Sequence, residues 1–421
     1  MHIPRSAGPS ACCSGLLLAF MAFSALNLSA ATPPSEALKV PDPLVEINER
    51  FAKLGRDPKG CVDLAALCAK RLQWVKWEEC LWKAIEVDPN CYEARRQLGF
   101  VKVGSEWLQA DEVEARENKT KRDQGLVYYG TGWFPAAQVQ AVRETERKKV
   151  GWDFLEKVET KFVTVYSSET LEATQQSAVV CQNTGAAYWD LYEKVFKLKL
   201  PPPLKVFIFK DNATYGAVIQ KTAKISPPGG GNVGLYSSGS QILYVRTDMN
   251  AAMGDAKAHL GTMAHEMIHA LDDRIANVMR GPPSWLIEGR AEHLGTYGRR
   301  DRIVLPGFIH MEPNTAAVQA LSGAIKNLSL EALMARKGGF EFTSYCTSFA
   351  LIHFLFHGAG GKHADGFRRF LAGLPSKATT KDFETCVGEL DKIQAEYKLY
   401  VQDFLLPAMQ SAQSASKRVK R

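Results

Sequence analysis

The stretch "TMAHEMIHALDD", Thr262 to Asp273, constrains this chain more than any other. Successive residues of an α-helix turn by about 100°, so His265 and His269 project from one face, one turn apart. That spacing suits two imidazoles on a single tetrahedral cation, with Glu266 beside the first where its carboxylate can reach a water rather than the metal. A metal site of this kind needs a third ligand. Downstream the chain reads "GPPSWLIEGRAEHLG", Gly281 to Gly295. Two prolines followed by Ser284 as N-cap predict a second helix, which displays Glu288 and Glu292 on one face. Eighteen residues separate His269 from Glu288. The competing reading of the histidines is a pair of satisfied core imidazoles, and of Glu288 a surface carboxylate; the joint pattern favours a His, His, Glu site.

HExxH, eighteen residues, then a glutamate within "W-L-x-E-G-x-A-E" resembles the gluzincin metallopeptidases, with the spacing of their aminopeptidase branch. The local text, the leader and the tryptophan segments described below also resemble an uncharacterised family of exported bacterial peptidase-like proteins. The resemblance spans roughly Lys161 to Leu406 and is strong around the two helices. It implies one Zn2+ per chain held by His265, His269 and Glu288, with Glu292 supporting His265 from behind and fixing its tautomer. Glu266 is then the general base and acid of peptide hydrolysis. The resemblance further implies a tyrosine that donates to the oxyanion, some sixty residues beyond the ligand glutamate. Tyr345 in "TSYCTSFALIHFL", 57 residues after Glu288, takes that role, a helix anchor being the plainer alternative. An edge strand that pairs with substrate backbone is implied before the histidine helix, and chain order assigns it to Gly234, Leu235 and Tyr236. Tyr236 and Tyr244 are expected to border the cleft. The G-x-M-E-N motif that holds a free amine in aminopeptidases is missing upstream, and "MEPN" at Met311 lies on the wrong side. An endopeptidase is therefore expected rather than an aminopeptidase.

The expected architecture is α+β: a gluzincin-type domain over 151–406, with a small mixed sheet, metal-bearing helices and a C-terminal helical subdomain. A helical region over 32–150 precedes it. "KFVTVYS" and "LKVFIFK" have strand composition; Glu169 to Leu198 reads as one long helix broken or bent near Gly185; "GLYSSGSQILYVR" reads as a hairpin. Upstream, Asp63 to Phe100 carries helical periodicity broken by "DPN" at Asp88, resembling a tetratricopeptide unit. "GSEWLQADEVEAR" and "GTGWFPAAQVQAVR" align at an offset of 26 residues, each read as a turn with a tryptophan anchor (Trp107, Trp133) and a short helix. Packing rather than ligand binding is expected of both rings. Of the remaining histidines, His293, His310, His353 and His357 are substitute donors at best; His353 and His357 have ligand spacing but no acidic third member.

With 46% apolar and 23% charged residues, the 421-residue chain is long enough for more than one core. Residues 1–31 read as a signal peptide, Arg5 before the apolar run Gly15 to Leu26 and small residues before Thr32. The run is short for a span and no second one follows, so an exported protein, periplasmic or extracellular, without stable membrane insertion is expected. Cys12 and Cys13 precede the apolar run, which speaks against a lipid anchor. The formal charge of +7 is carried largely by the basic tail 407–421, expected to be disordered, with Lys417, Arg418, Lys420 and Arg421, so no nucleic-acid partner is indicated. Four cysteines cluster in Cys61 to Cys91, read as buried thiols or one or two disulfides ahead of a metal site. The expected partner is a peptide or protein substrate, with a protein partner for the N-terminal helices. The rival function is a zinc-binding, non-catalytic interaction protein that works through those helices.

Overall fold

The computed structural model describes residues 43–226, 233–250, 257–276, 282–295, 315–336, 340–374, 376 and 378–410. The leader with Cys12 and Cys13, His310, Met311 and the basic residues from Lys417 onward lie outside them. The chain is α+β. Helices α1 (Pro43–Ala52), α2 (Pro58–Lys70), α3 (Trp74–Val87) and α4 (Tyr92–Gln97) come first. They close on their own core of Ile47, Leu64, Trp74, Trp77, Leu81 and Ile85. All seven cysteines of the described residues are free thiols. Cys61, Cys68 and Cys80 are fully buried in this helical core, where contact with Cys68 and burial push the Cys80 thiol far up.

The two tryptophan segments depart from expectation. Each is a two-stranded antiparallel hairpin followed by a full helix: β1 (Phe100–Val103), β2 (Glu106–Gln109) and α5 (Ala110–Asp123), then β3 (Leu126–Tyr129), β4 (Gly132–Pro135) and α6 (Ala136–Val150). The glycine is not the lead into a helix but the first residue of a two-residue turn, with φ of 60° at Gly104 and 65° at Gly130. The tryptophans stand on the second strands and pack as expected, Trp107 on Tyr92 and Trp133 on Tyr128 across the hairpin. The second hairpin also joins the main sheet, since Gly130 exchanges backbone hydrogen bonds of 3.0 and 2.8 Å with Lys157 and Glu159. Glu146 of α6 locks that junction by accepting from Lys157 and from the hydroxyls of Tyr129 and Tyr166.

The sheet comprises β5 (Glu156–Glu159), β6 (Val163–Ser167), β7 (Leu204–Phe209), β8 (Gly234–Ser237) and β9 (Ile242–Arg246), in the order β5-β6-β7-β9-β8. β6, β7 and β9 are parallel; β5 and β8 are antiparallel edges. Side chains alternate between faces. Val163, Val165, Val206, Ile208, Leu243 and Val245 meet helices α7 (Leu171–Phe196) and α9 (Ala258–Leu271). Tyr166, Phe207, Phe209 and Tyr244 point the other way, against Trp152, Phe154 and helix α8 (Asn212–Thr222). α7 runs unbroken through Gly185, contrary to the expected bend. The glycine is needed for closeness instead: a Cβ there would sit 2.6 Å from the Phe162 ring. After α10 (Ser284–Gly295) the described chain is helical, with α11 (Thr315–Lys326), α12 (Leu330–Ala335), α13 (Phe342–His357), α14 (Ala364–Ala372), α15 (Thr380–Cys386) and α16 (Leu390–Tyr400). Among the described residues no helix is long and apolar enough to cross a membrane.

Candidate metal centre

α9 is apolar nearly all round and buried along almost its whole length, because it lies between the sheet and α10. Gly234 admits it: a Cβ on that edge-strand residue would stand 2.8 Å from Thr262 Cγ2. α10 begins at Ser284, one residue later in the helix than the N-cap expected for it, since the Leu286 amide donates to the Pro283 carbonyl. Two glycines let α10 approach its neighbours. A Cβ on Gly295 would come within 3.2 Å of the His265 backbone nitrogen, and one on Gly289 within 2.7 Å of the Ser348 carbonyl on α13.

This packing brings the expected residues together. His265 Nε2 and His269 Nε2 stand 3.0 Å apart. Glu288 Oε2 lies 3.3 Å from the first and 3.5 Å from the second. Ligand-capable atoms of His265, Glu266 and His269 all fall within 4.8 Å of one another. All four residues are buried, at 8% exposure or less. Glu292 Oε1 is 3.0 Å from His265 Nδ1; an N–H there leaves the Nε2 lone pair directed at Glu288 and His269. Glu266 Oε2 accepts the Tyr236 amide at 2.8 Å. Tyr345, half-buried one turn before Ser348 on α13, has its ring 6.3 Å from that of His265 and packs on Phe340.

The electrostatics suit a cation. Burial opposes charge on His265, yet Glu288 and Glu292 outweigh it and hold the imidazole well above its usual range. Burial likewise opposes the Glu288 carboxylate, but His269 and His265 hold its pKa far below the usual carboxylate range. Glu288 Oε2 and His269 Nδ1 are buried without a hydrogen-bond partner. A buried carboxylate oxygen that faces two imidazole nitrogens and takes no hydrogen bond is an arrangement a metal ion would satisfy, and His265, Glu266 and His269 form a buried group that could hold one.

β8 is an edge strand of the sheet among the described residues and lies next to α9, and the Tyr236 hydroxyl donates to Asp273 at 2.8 Å. Tyr244 does not border the cleft. Opposite residues of an antiparallel pair share a face, and Tyr244 pairs with Leu235 while Tyr236 pairs with Leu243. Its hydroxyl meets Thr222 and Ser240 on the far side of the sheet. His353 is fully buried on α13 and bonds Tyr400, packed in a cluster with His293 and His357.

Sequence reasoning passed over Asp272 and Arg290, a buried ion pair at 2.8 Å that joins the end of α9 to α10. The signal was present in "HALDD" and "EGR": an acid one turn past His269 and a base two residues past Glu288. No protein-family model matches this chain, and no curated protein sequence matches it.

Proposed function

We propose that this chain is an exported, zinc-dependent peptidase of gluzincin type, acting within peptide chains rather than at free amino termini. The observation that carries the reading is the convergence of His265 Nε2, His269 Nε2 and Glu288 Oε2, buried, from two helices. Two imidazoles and one carboxylate form a borderline-soft set that suits zinc, and three protein ligands leave a fourth position for substrate or water. Zinc bound there supplies Lewis acidity toward a carbonyl and toward water.

The chain's own residues do the rest. Glu266, oriented by the Tyr236 amide, takes the proton of the attacking water and returns it to the leaving amine. Glu292 holds the His265 ring in one tautomer. The Tyr345 hydroxyl donates to the oxyanion. Residues Gly234 to Tyr236, on a sheet edge beside the base, receive the substrate backbone by strand addition, which favours peptides of many sequences. The N-terminal helices, with a core of their own, offer a surface for a protein partner.

The test is zinc stoichiometry together with chelator-sensitive cleavage of a mixed peptide library, for the wild type and Glu266→Gln. One zinc in both proteins and cleavage by the wild type alone support the peptidase. Zinc in both with no cleavage by either would leave the rival, a zinc-binding interaction protein.

A further inference from the structure

We propose that Asp272 and Arg290 form a clamp that sets the spacing of the two ligand-bearing helices, which makes them positioning residues of the metal centre; the inference rests on the metal reading above. Asp272 closes α9 three residues after His269 and is fully buried; Arg290 stands on α10 two residues after Glu288 and is 1% exposed. Two residues on a helix are about 200° of turn, so while Glu288 faces the imidazoles, Arg290 reaches back toward α7. Its Nη2 donates to Asp272 Oδ1 at 2.8 Å and its Nε to the Tyr192 hydroxyl at 3.1 Å. The Tyr188 hydroxyl donates to the same Oδ1 at 2.7 Å. The guanidinium lies 4.4 Å from the centre of the Tyr192 ring and 5.4 Å from that of Phe196. One ion pair thus ties α9, α10 and α7 at a single point behind the site.

Such a pair adds little net stability, because removing both charges from water costs about as much as their attraction returns. What it adds is direction. Apolar helix faces tolerate small slides, whereas charged hydrogen bonds at fixed length do not, and metal ligands must be placed to about 0.2 Å. The position of Glu288 relative to His265 and His269 is set by the relative placement of α9 and α10, and this clamp is a charged contact between those helices away from the ligands themselves.

The test uses the full chain stripped of metal, with zinc affinity measured by competition against a chromophoric chelator and thermal unfolding followed without zinc. Arg290→Met and Asp272→Asn each leave a buried charge alone, so both lower the unfolding temperature and weaken zinc binding tenfold or more. The double variant Asp272→Leu, Arg290→Met removes both charges: its unfolding temperature returns toward the wild type while zinc binding stays at least tenfold weaker. Tyr188→Phe, which deletes one hydroxyl and keeps the ring, weakens zinc severalfold and serves as the mild member should the others fail to fold. A double variant or Tyr188→Phe that binds zinc as tightly as the wild type would overturn the clamp and leave the pair as packing only. A wild type that takes up no zinc overturns the metal reading itself, and the clamp with it.

Discussion

Substituting Gly289 by alanine tests whether close helix approach builds this centre. A Cβ at that position would stand 2.7 Å from the Ser348 carbonyl oxygen and 2.9 Å from its carbonyl carbon and from Ile352 Cγ1. Backbone cannot swing aside as a side-chain end can, so α10 and α13 must part by roughly half an ångström to restore ordinary contact. Overpacking of this kind costs about 1–3 kcal/mol, against which alanine gains about 1 kcal/mol over glycine in a helix interior. The net expectation is a loss of about 0–2 kcal/mol, where an unhindered alanine would gain about 1. Glu288 is the preceding residue, and a displacement of that size exceeds the roughly 0.2 Å tolerance of a ligand, so zinc binding should weaken about tenfold. Gly323→Ala is the control: the position is helical and exposed, with nothing within 4 Å of the added carbon, so it should gain stability and leave zinc binding alone. Denaturant unfolding of the metal-free protein and chelator competition read both quantities. Gly289→Ala matching Gly323→Ala in stability and zinc affinity would refute the argument that the helices are held apart by no more than a hydrogen atom.

Glu292→Ala removes the acceptor at His265 Nδ1, and zinc affinity should fall about 10- to 100-fold while Glu292→Gln, which keeps an oxygen there, falls less; equal affinity in all three proteins would show that water replaces the carboxylate. The metal-free protein should lose stability as pH falls below about 6.5, because burial, with Arg368, lowers His357 to about 4, and burial, with the neighbouring His357 and His353, holds His293 well below its usual range. A depressed histidine contributes stability above its unfolded pKa and loses it toward the folded one, so His357 alone accounts for up to about 3 kcal/mol between pH 6.5 and 4. His357→Gln should flatten that limb of a pH series of unfolding curves, and an unchanged slope would contradict the burial argument.

What the sequence determined by itself is local and periodic. Four-residue spacing places His265 over His269 and Glu288 over Glu292 whatever surrounds them, because the helix fixes those angles within one turn. β6, β7 and the β8–β9 hairpin were legible from alternating apolar residues and a Ser-Gly turn, and α9 and α10 from their motifs and proline punctuation. The hairpins of the tryptophan segments were missed, although "GS" and "GT" stand between strand formers, because the helical text after each turn masked four-residue strands. Tertiary structure decided the rest, because it depends on contacts between segments far apart in the chain. Gly185 could equally mark a bend or a place where Phe162 presses on the helix, and only the packed fold chose the second. Pairing register sent Tyr244 to the far face and the Tyr236 amide to Glu266. The distance between the two histidines and Glu288 was set by glycines that let three helices touch and by an arginine buried behind them; no spacing along the chain encodes that distance, since it is the sum of packing on every side.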